Sequence, residues 1–315
     1  MLALVFDPAA PAFLALRDVS EPEPRADEAL VAVGAVSLNR GEVMALRTNA
    51  GWFAPGCAPG WDVAGVVVRA AADGSGPPAG ARVVGLMPVG GGGWAQLAAV
   101  RGCLLAELPD GVTLETAATL PVAGLTALAT LALGSRLLER RVAITGAAGG
   151  VGRLAVQLAR RAGAHVTAVV GSAERGEGLV ALGAHEVTVG FDEDGEPFDL
   201  ILESAGGELL SAAIRRVAGE GVLVCYGNSS HEPAVLDADP FHTRQAGASI
   251  HGFMIFEEVR RGRVGGRDLS ALVSLLATGA LDPQVDLVAS WRAFEPAFDA
   301  LADRQVLGKA VLTID

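Results

Sequence analysis

A glycine-rich segment at residues 141–152 carries the strongest chemical signal in the chain. Its sequence, RVAITGAAGGVG, runs from a short apolar strand into a turn and then into a segment with helical spacing of apolar residues. A second apolar strand follows at 165–170, and this order is the context of a dinucleotide-binding fingerprint. Glycines let the backbone approach a pyrophosphate closely, and the first N–H groups of a helix attract the anion. The alternative is a turn that only packs a helix on a sheet. The pattern, in which alanine replaces the first glycine, predicts a dinucleotide site at Gly146, Ala148, Gly149, Gly150, Val151 and Gly152.

The end of the second strand indicates which dinucleotide fits. Sites for NAD usually place Asp or Glu about 20 residues after the glycines. Here the strand 165–170 leads to Gly171 and Ser172, and Arg175 follows beyond the turn. A small hydroxyl residue and an arginine suit a 2′-phosphate, because a guanidinium matches phosphate oxygens in geometry. We therefore predict that these three residues bind NADPH. The alternative is that Arg175 is a solvated residue of a helix predicted over 173–182.

Composition and charge narrow the possible partners. The chain of 315 residues is long enough for two domains, and its formal net charge of −12 disfavours nucleic acid. No uninterrupted apolar run reaches the roughly 20 residues that span a bilayer, so a membrane is not expected as a partner. The three cysteines form no Cys-x-x-Cys, and the N-terminus opens directly into a strand-like pattern. We therefore expect a cytoplasmic protein.

Two different patterns divide the chain. Residues 1–112 alternate strand-like segments with Pro, Gly and Asp turns, which predicts a β-rich lobe. Thr113 is a candidate N-cap for an apolar helix predicted over 117–133, and strands and helices alternate afterwards. Such alternation predicts a parallel sheet, whose ligands bind beyond the carboxyl ends of its strands. Those ends add to the predicted cofactor site Ser204, Ala205, Tyr226 and Gly227.

Six short motifs occur in one order along nearly the whole chain. They are LNRGE (38–42), PGWDVAG (59–65), GGWAQ (92–96), LPVAGLTA (120–127), ESAGG (203–207) and GKAVL (308–312). Together they resemble the medium-chain dehydrogenase/reductase superfamily, in its zinc-free quinone-oxidoreductase branch. The resemblance implies an α/β protein with a GroES-like β-barrel lobe and a doubly wound Rossmann domain that binds NADPH. It places the first lobe at 1–112, completed by about 256–315, and the Rossmann domain at 113–255. It also assigns Lys309 to the cofactor site.

The segments that bind metal in zinc alcohol dehydrogenases lack metal ligands in this chain. Those enzymes use a Cys and a His-Glu pair at the first two motifs, together with a four-cysteine lobe. At the corresponding places this chain has Asn39 and Trp61-Asp62, and three distant cysteines cannot form a Cys₄ site. The five histidines show no i, i+4 pairing. We therefore predict no metal site.

Without a metal, hydrogen-bond donors and the shape of a pocket must polarise the hydride acceptor. Asn39 is the first candidate to orient the substrate or the nicotinamide, with an Asx-type turn as the alternative. Thr126 is a candidate for a bond to the nicotinamide ribose or carboxamide, with helix packing as the alternative. Met44 stands where several quinone oxidoreductases carry a tyrosine, so no proton donor is assigned. Met44, Trp52 and Trp94 are predicted to line an apolar substrate pocket, although aromatic side chains also fill cores.

Three functional hypotheses follow. The first is a reductase that transfers hydride from NADPH to a quinone or an α,β-unsaturated carbonyl compound. The second is an enoyl-thioester reductase of polyketide or other secondary metabolism, and the third is a non-catalytic NADPH-binding sensor or structural protein. The resemblance further implies a homodimer, paired through an edge strand predicted at 248–255, which would cover an exposed apolar edge.

Overall fold

The computed structural model describes residues 1–192 and 195–315. Up to residue 132 the elements are β1 (Leu2–Phe6), β2 (Leu14–Asp18), β3 (Glu28–Leu38), α1 (Arg40–Arg47), β4 (Asp62–Arg69), β5 (Arg82–Leu86), β6 (Leu97–Arg101), β7 (Leu105–Glu107), α2 (Leu114–Ala117) and α3 (Pro121–Ala132). The middle of the chain forms β8 (Arg141–Thr145), α4 (Gly150–Arg161), β9 (His165–Val170), β10 (Glu186–Val189), β11 (Phe198–Glu203), α5 (Gly207–Arg216), β12 (Val217–Cys225), β13 (Ser249–Gly252) and α6 (Ile255–Arg260). The remainder forms α7 (Gly266–Ala277), β14 (Val285–Ser290), α8 (Glu295–Ala302) and β15 (Lys309–Thr313).

The chain divides into two compact units. The first unit contains Met1–Leu125 and Val259–Asp315, and the second contains Thr126–Glu258. The larger sheet of the first unit has seven strands in the order β14-β15-β3-β4-β5-β7, with β6 also paired to β3. Strands β15, β3 and β4 are antiparallel neighbours, and their register pairs Ala310 with Leu38 and Ser37 with Asp62. This register brings the ends of three strands side by side.

The second unit is a parallel sheet of six strands. Their order is β10-β9-β8-β11-β12-β13, and every neighbouring pair is parallel. Counted within the unit, this order is 3-2-1-4-5-6, which is the order of a Rossmann fold. The central strands β8, β9 and β11 are largely apolar and buried, as expected for strands covered on both faces, whereas the edge strands β10 and β13 are exposed or half-buried. The order of the strands reverses between β8 and β11. The predicted α/β fold class is confirmed.

Two predicted helices differ from the structure. The helix predicted over 117–133 forms later, as α3 from Pro121 to Ala132, because the short helix α2 ends at Ala117 and the ring of Pro121 suits the first position of a helix. Thr113 caps α2 as predicted, since its hydroxyl accepts from the Thr116 N–H at 3.2 Å. The helix predicted over 173–182 is wrong: only a 3₁₀ turn forms there, at Glu174–Gly176.

In the parts of the chain that the structure describes, no helix combines the length and the apolar character that a membrane crossing needs.

Candidate functional site

The predicted glycine turn lies at the carboxyl end of β8, beside the point where the order of the strands reverses. Gly146 adopts φ +59°, a left-handed conformation that glycine adopts without strain. Gly149 is the N-cap of α4, and its N–H donates to the Gly146 carbonyl at 2.9 Å. The first N–H groups of α4 have no partner within the helix, so they are available for an anion. This is the geometry that a pyrophosphate requires.

Gly152 is required by close packing rather than by its dihedral angles. A Cβ at this position would lie 2.5 Å from the Gly146 oxygen and 2.6 Å from the Ala147 Cα. A Cβ at Gly149 would meet the same oxygen at 3.3 Å, which a small shift accommodates. The third glycine of the fingerprint therefore sets how closely α4 approaches the turn.

The loop after β9 carries the three residues predicted to select the cofactor. Gly171 is exposed and Ser172 and Arg175 are partly exposed, and β9 lies next to β8 in the sheet. A hydrogen bond from the Ser172 hydroxyl lowers the pKa of Glu174 below its ordinary value. The loop thus presents an arginine and a hydroxyl group, together with a carboxylate that the hydroxyl group already binds.

A buried carboxylate organises the ends of β8 and β11. Glu203 is fully buried, and its Oε1 accepts from the Thr145 hydroxyl at 3.1 Å, from the Ala205 N–H at 2.7 Å and from the Gly206 N–H at 3.2 Å. The Ser204 N–H in turn donates to Thr145 Oγ1 at 2.9 Å. Desolvation raises the pKa of Glu203, while these donors oppose the shift. This carboxylate fixes the predicted cofactor residues Ser204 and Ala205, although its own role was not predicted.

Tyr226 follows β12 and lies over the same strand ends. Its backbone N–H donates to the Glu203 carbonyl at 2.9 Å, and Gly227 comes directly after it. Desolvation, together with the nearby Glu203 charge, raises the pKa of Tyr226 to about 12. A phenol with a raised pKa is a poor proton donor at neutral pH. Tyr226 is therefore suited to lining the site and not to general acid catalysis.

A second buried polar cluster lies in the first unit. We call Asn39, Glu42, Asp62 and Lys309 the Lys309 cluster; the four residues are at most 9% exposed. Lys309 begins β15, Asp62 begins β4, and Asn39 follows β3 as the N-cap of α1. The strand register described above therefore brings these side chains together. The resemblance assigned Lys309 to the cofactor, and the structure places its ammonium among these residues.

The hydrogen bonds of the Lys309 cluster are extensive. Lys309 Nζ donates to Asn39 Oδ1 at 2.8 Å, to the Leu38 carbonyl at 3.1 Å and to Asp62 Oδ2 at 3.5 Å. The other oxygen of Asp62, Oδ1, accepts from the Val122 N–H at the start of α3, at 2.8 Å. The three hydrogens of the ammonium are thus matched by three acceptors, which is the arrangement a buried cation needs.

Glu42 brings a second carboxylate into the cluster. Its Oε1 accepts from the Trp61 N–H at 2.7 Å, and its Oε2 accepts from the Asn39 N–H at 3.0 Å. Burial and the neighbouring Asp62 charge raise the pKa of Glu42 to about 8. Burial also raises the pKa of Asp62 and lowers that of Lys309, and each shift is opposed by the attraction between the two charges.

The cluster restricts what Asn39 can do chemically. Its Nδ2 donates to Glu42 Oε2 and to Asp62 Oδ2, both at 2.9 Å, so both amide hydrogens are engaged. Its Oδ1 accepts from Lys309 at 2.8 Å. Asn39 therefore has no hydrogen left to stabilise a developing oxyanion.

The residues predicted to line a substrate pocket lie at different depths of the first unit. Trp52 is 44% exposed and Trp94 is 1% exposed. Trp61, which was not predicted as a pocket residue, packs against Trp52 with ring centroids 5.7 Å apart. Met44 is partly exposed on α1. Among these side chains, Trp52 offers the largest accessible aromatic surface.

Thr126, the second catalytic candidate, is buried on α3. Its carbonyl accepts from the Thr130 hydroxyl at 2.7 Å. By the division of the chain it is the first residue of the second unit, whereas Asn39 belongs to the first.

Comparisons with known proteins place the chain among oxidoreductases. The profile of the alcohol dehydrogenase GroES-like domain matches residues 25–110, and that of zinc-binding dehydrogenases matches residues 182–312. A chloroplast envelope quinone oxidoreductase homolog of Arabidopsis thaliana is 35% identical over 232 residues, which cover 70% of this chain and 69% of that protein. Erythronolide synthase EryA2 of Saccharopolyspora erythraea is 33% identical over 322 residues, or 96% of this chain but only 8% of that synthase.

A solved structure shares the fold over the full length. The Escherichia coli quinone oxidoreductase complexed with NADPH has a TM-score of 0.84 at 20% identity, and the match covers 99% of this chain and 100% of that one.

The residues of this chain do not fit the zinc that the second family name suggests. Within 1–192 and 195–315, no three His, Cys, Asp or Glu side chains are grouped to hold a metal ion. Where the motifs of zinc enzymes would supply ligands, the Lys309 ammonium already binds Asn39 and lies 3.5 Å from Asp62 Oδ2. A bound cation would be repelled by this ammonium.

Proposed function

Because the chain belongs to the medium-chain dehydrogenase/reductase superfamily, we propose that it is a zinc-independent, NADPH-dependent oxidoreductase that reduces a quinone or an α,β-unsaturated carbonyl compound. The observation that carries this proposal is the glycine turn, with its closely packed Gly152, at the point where a 3-2-1-4-5-6 sheet reverses its order. The N-terminus of α4 binds the pyrophosphate, and Ser204 and Tyr226 line the adjacent strand ends. When bound, the nicotinamide supplies the hydride.

The loop after β9 supports NADPH rather than NADH as the cofactor. Arg175 and Ser172 are the groups we assign to the 2′-phosphate, and Glu174 beside them opposes it by its charge. Replacing Arg175 by methionine (R175M) should raise the Kd for NADPH about tenfold and leave the Kd for NADH nearly unchanged. E174Q should act in the opposite direction and tighten NADPH binding. Equal shifts for both nucleotides in R175M would contradict this assignment.

The first unit supports a flat, apolar acceptor. Trp52 exposes an aromatic face that suits a planar conjugated ring, and apolar surface excludes water from the reacting atoms. Both amide hydrogens of Asn39 are engaged and the pKa of Tyr226 is raised, so we assign the proton to water. In a quinone or an α,β-unsaturated carbonyl compound, the charge develops on an oxygen remote from the carbon that accepts the hydride. Such a reduction depends less on a strong proton donor than the reduction of an isolated ketone does.

Turnover with a small panel of acceptors tests the proposal. NADPH oxidation is followed with a quinone, an enone, a simple ketone and an enoyl-CoA, before and after incubation with EDTA. We expect oxidation with the quinone or the enone, no effect of EDTA, and slower turnover in W52A than in W94F. NADPH binding without oxidation by any acceptor would contradict the proposed activity.

A second candidate is reduction of an enoyl thioester. The specific observation is the match to erythronolide synthase over 96% of this chain, although that synthase is far longer. In the panel, a kcat/KM for the enoyl-CoA well above that for the quinone and the enone would favour this candidate.

We also propose that two copies pair through β13. This strand is the edge of the parallel sheet and exposes Ile250, which is 43% exposed, and an unprotected edge invites pairing. Light scattering at micromolar concentration should give the mass of a dimer, and I250K should give a monomer. V180K, at an exposed valine outside the strands, is the matched control. A monomeric wild-type protein would overturn the proposal.

A further inference from the structure

A buried arginine connects the glycine turn to the loop after β9. Arg153 directly follows Gly152 on α4 and is only 5% exposed. Its Nε donates to the Ala148 carbonyl at 3.3 Å, and its Nη2 donates to the Glu177 carbonyl at 3.1 Å. Ala148 belongs to the turn after β8, and Glu177 follows the residues assigned to the 2′-phosphate. One side chain therefore spans two loops that follow neighbouring strands.

Packing alone does not explain an arginine at this position. The residues that follow it on α4, from Leu154 to Ala159, are buried and almost all apolar, and a buried guanidinium is costly unless it is hydrogen-bonded. The planar group carries five N–H donors in a fixed geometry, so it can hold two carbonyl groups at a defined separation. A flexible or apolar side chain at the same position would fill space without fixing that separation.

The same contact accounts for the shape of the loop. In a continuous helix, the Glu177 carbonyl would accept from the N–H four residues later. Arg153 takes this carbonyl instead, and Gly178 turns the chain with φ +78°. A Cβ at Gly178 would lie 3.7 Å from Arg153 Nη1, so the chain passes directly against the guanidinium. The arginine therefore holds the loop in a non-helical conformation.

We propose that Arg153 is a positioning residue that sets the distance between the pyrophosphate subsite and the 2′-phosphate subsite, and thereby the preference for NADPH over NADH. The inference rests on the proposed function, because it needs a dinucleotide at this site. One NADPH molecule must bind to both subsites at once, so its affinity depends directly on the distance between the two loops. NADH carries no 2′-phosphate and depends less on that spacing.

The test compares R153M, R153K and R161M. Arg161 is an exposed arginine on the same helix, so R161M is the matched control for loss of a positive charge. Dissociation constants for NADPH, NADH and 2′,5′-ADP are measured by titration calorimetry on the full chain. R153M should raise the Kd for NADPH about tenfold more than that for NADH, since the hydrogen bonds from the guanidinium to both loops are lost. R161M should leave the NADPH-to-NADH ratio of Kd values unchanged. R153K should give a ratio between those of the wild type and R153M.

Different outcomes separate the two proposals. If wild-type protein binds NADPH but a folded R153M keeps the same NADPH-to-NADH ratio of Kd values, the role of Arg153 is overturned and the proposed function stands. A merely structural role would lower the melting temperature and weaken both nucleotides equally. If R153M does not fold, the ratio measured in R153K decides. Wild-type protein that binds neither nucleotide would contradict the proposed function itself.

Discussion

The two units each bury a carboxylate beside their candidate functional residues, but they compensate its charge in different ways. In the first unit, Asp62 faces the Lys309 ammonium together with the Asn39 amide and the Val122 N–H. In the second unit, the donors to Glu203 within the described residues are a hydroxyl group and two backbone N–H groups, all neutral. The first arrangement depends on a partner charge, whereas the second depends on the chain immediately around the carboxylate.

This difference determines what a loss of charge should do. A carboxylate held by neutral donors at the start of a helix can be replaced by an amide that keeps an acceptor oxygen. A carboxylate that faces an ammonium cannot, because a neutral amide leaves the buried ammonium without its counter-charge. Removing either member of a buried ion pair also leaves the other charge uncompensated. The two sites therefore predict different sensitivities to isosteric substitution.

The largest effect is expected for K309M. The substitution leaves Asp62 and Glu42 buried without the cation, and the free energy of unfolding should fall by about 3–5 kcal/mol. Chemical denaturation measures this change. Arg101 and Asp27 provide the matched control, since their closest charged atoms also lie 3.5 Å apart but both side chains are about half exposed. R101M should cost less than about 1 kcal/mol. A K309M protein as stable as R101M would contradict a charge-dependent cluster.

The comparison of D62N with E203Q is expected to give the next largest difference. In D62N, the amide nitrogen faces donors in either orientation, namely the Val122 N–H at the Oδ1 position or Asn39 Nδ2 and Lys309 Nζ at the Oδ2 position. Because Lys309 also loses its counter-charge, we expect a loss of about 2–4 kcal/mol. In E203Q, the amide oxygen can keep the three contacts of Oε1, and the amide nitrogen at the Oε2 position faces a single donor, the Gly206 N–H at 3.2 Å, with no ammonium left unpaired.

E203Q should therefore cost about 1 kcal/mol or less. Urea unfolding of both variants checks this. Wild-type protein is unfolded in parallel with each variant as the control. Equal losses in the two variants would show that the two carboxylates are held in the same way.

The second unit was largely predictable because its signals are local. The glycine turn, the strands on either side and the acid-free end of β9 lie within one short segment, and the structure forms them where they were expected. The exception is the loop over 173–182. Its apolar and charged residues have helical spacing, but a side chain from α4 takes the Glu177 carbonyl, and no local pattern reveals such a contact.

The Lys309 cluster was less predictable because it depends on strand register. Asn39 was recognised as a candidate, but the spacing Asn39-x-x-Glu42, a local signal of a helix start, was not used, and α1 begins directly after Asn39. That Asp62 and Lys309 join them follows only from the pairing of β15, β3 and β4, three strands far apart in the sequence. Neither the donors of Glu203 nor the engagement of both Asn39 hydrogens could be read from composition or spacing.

Over a single pH unit, a change in stability smaller than those of K309M and D62N is expected from the pH dependence of unfolding. The pKa of Glu42 is raised from 4.5 to about 8 by burial and by Asp62, so between these values the folded chain holds a proton that the unfolded chain has lost. The free energy of unfolding should therefore decrease as the pH rises through this window, by at most about 1.4 kcal/mol per pH unit. E42Q removes this titration, and its stability should vary less steeply with pH than that of the wild type.

Urea midpoints measured at several pH values within this window check the difference in slope. The difference in the free energy of unfolding between the wild type and E42Q is informative even if E42Q is less stable at every pH. A constant loss of stability does not change the slope with pH. Burial raises the pKa of Glu203 as well, so E203Q should shift the slope in the same direction. An E42Q curve parallel to that of the wild type would show that Glu42 stays ionised throughout, and that the three N–H groups donating to it outweigh its burial.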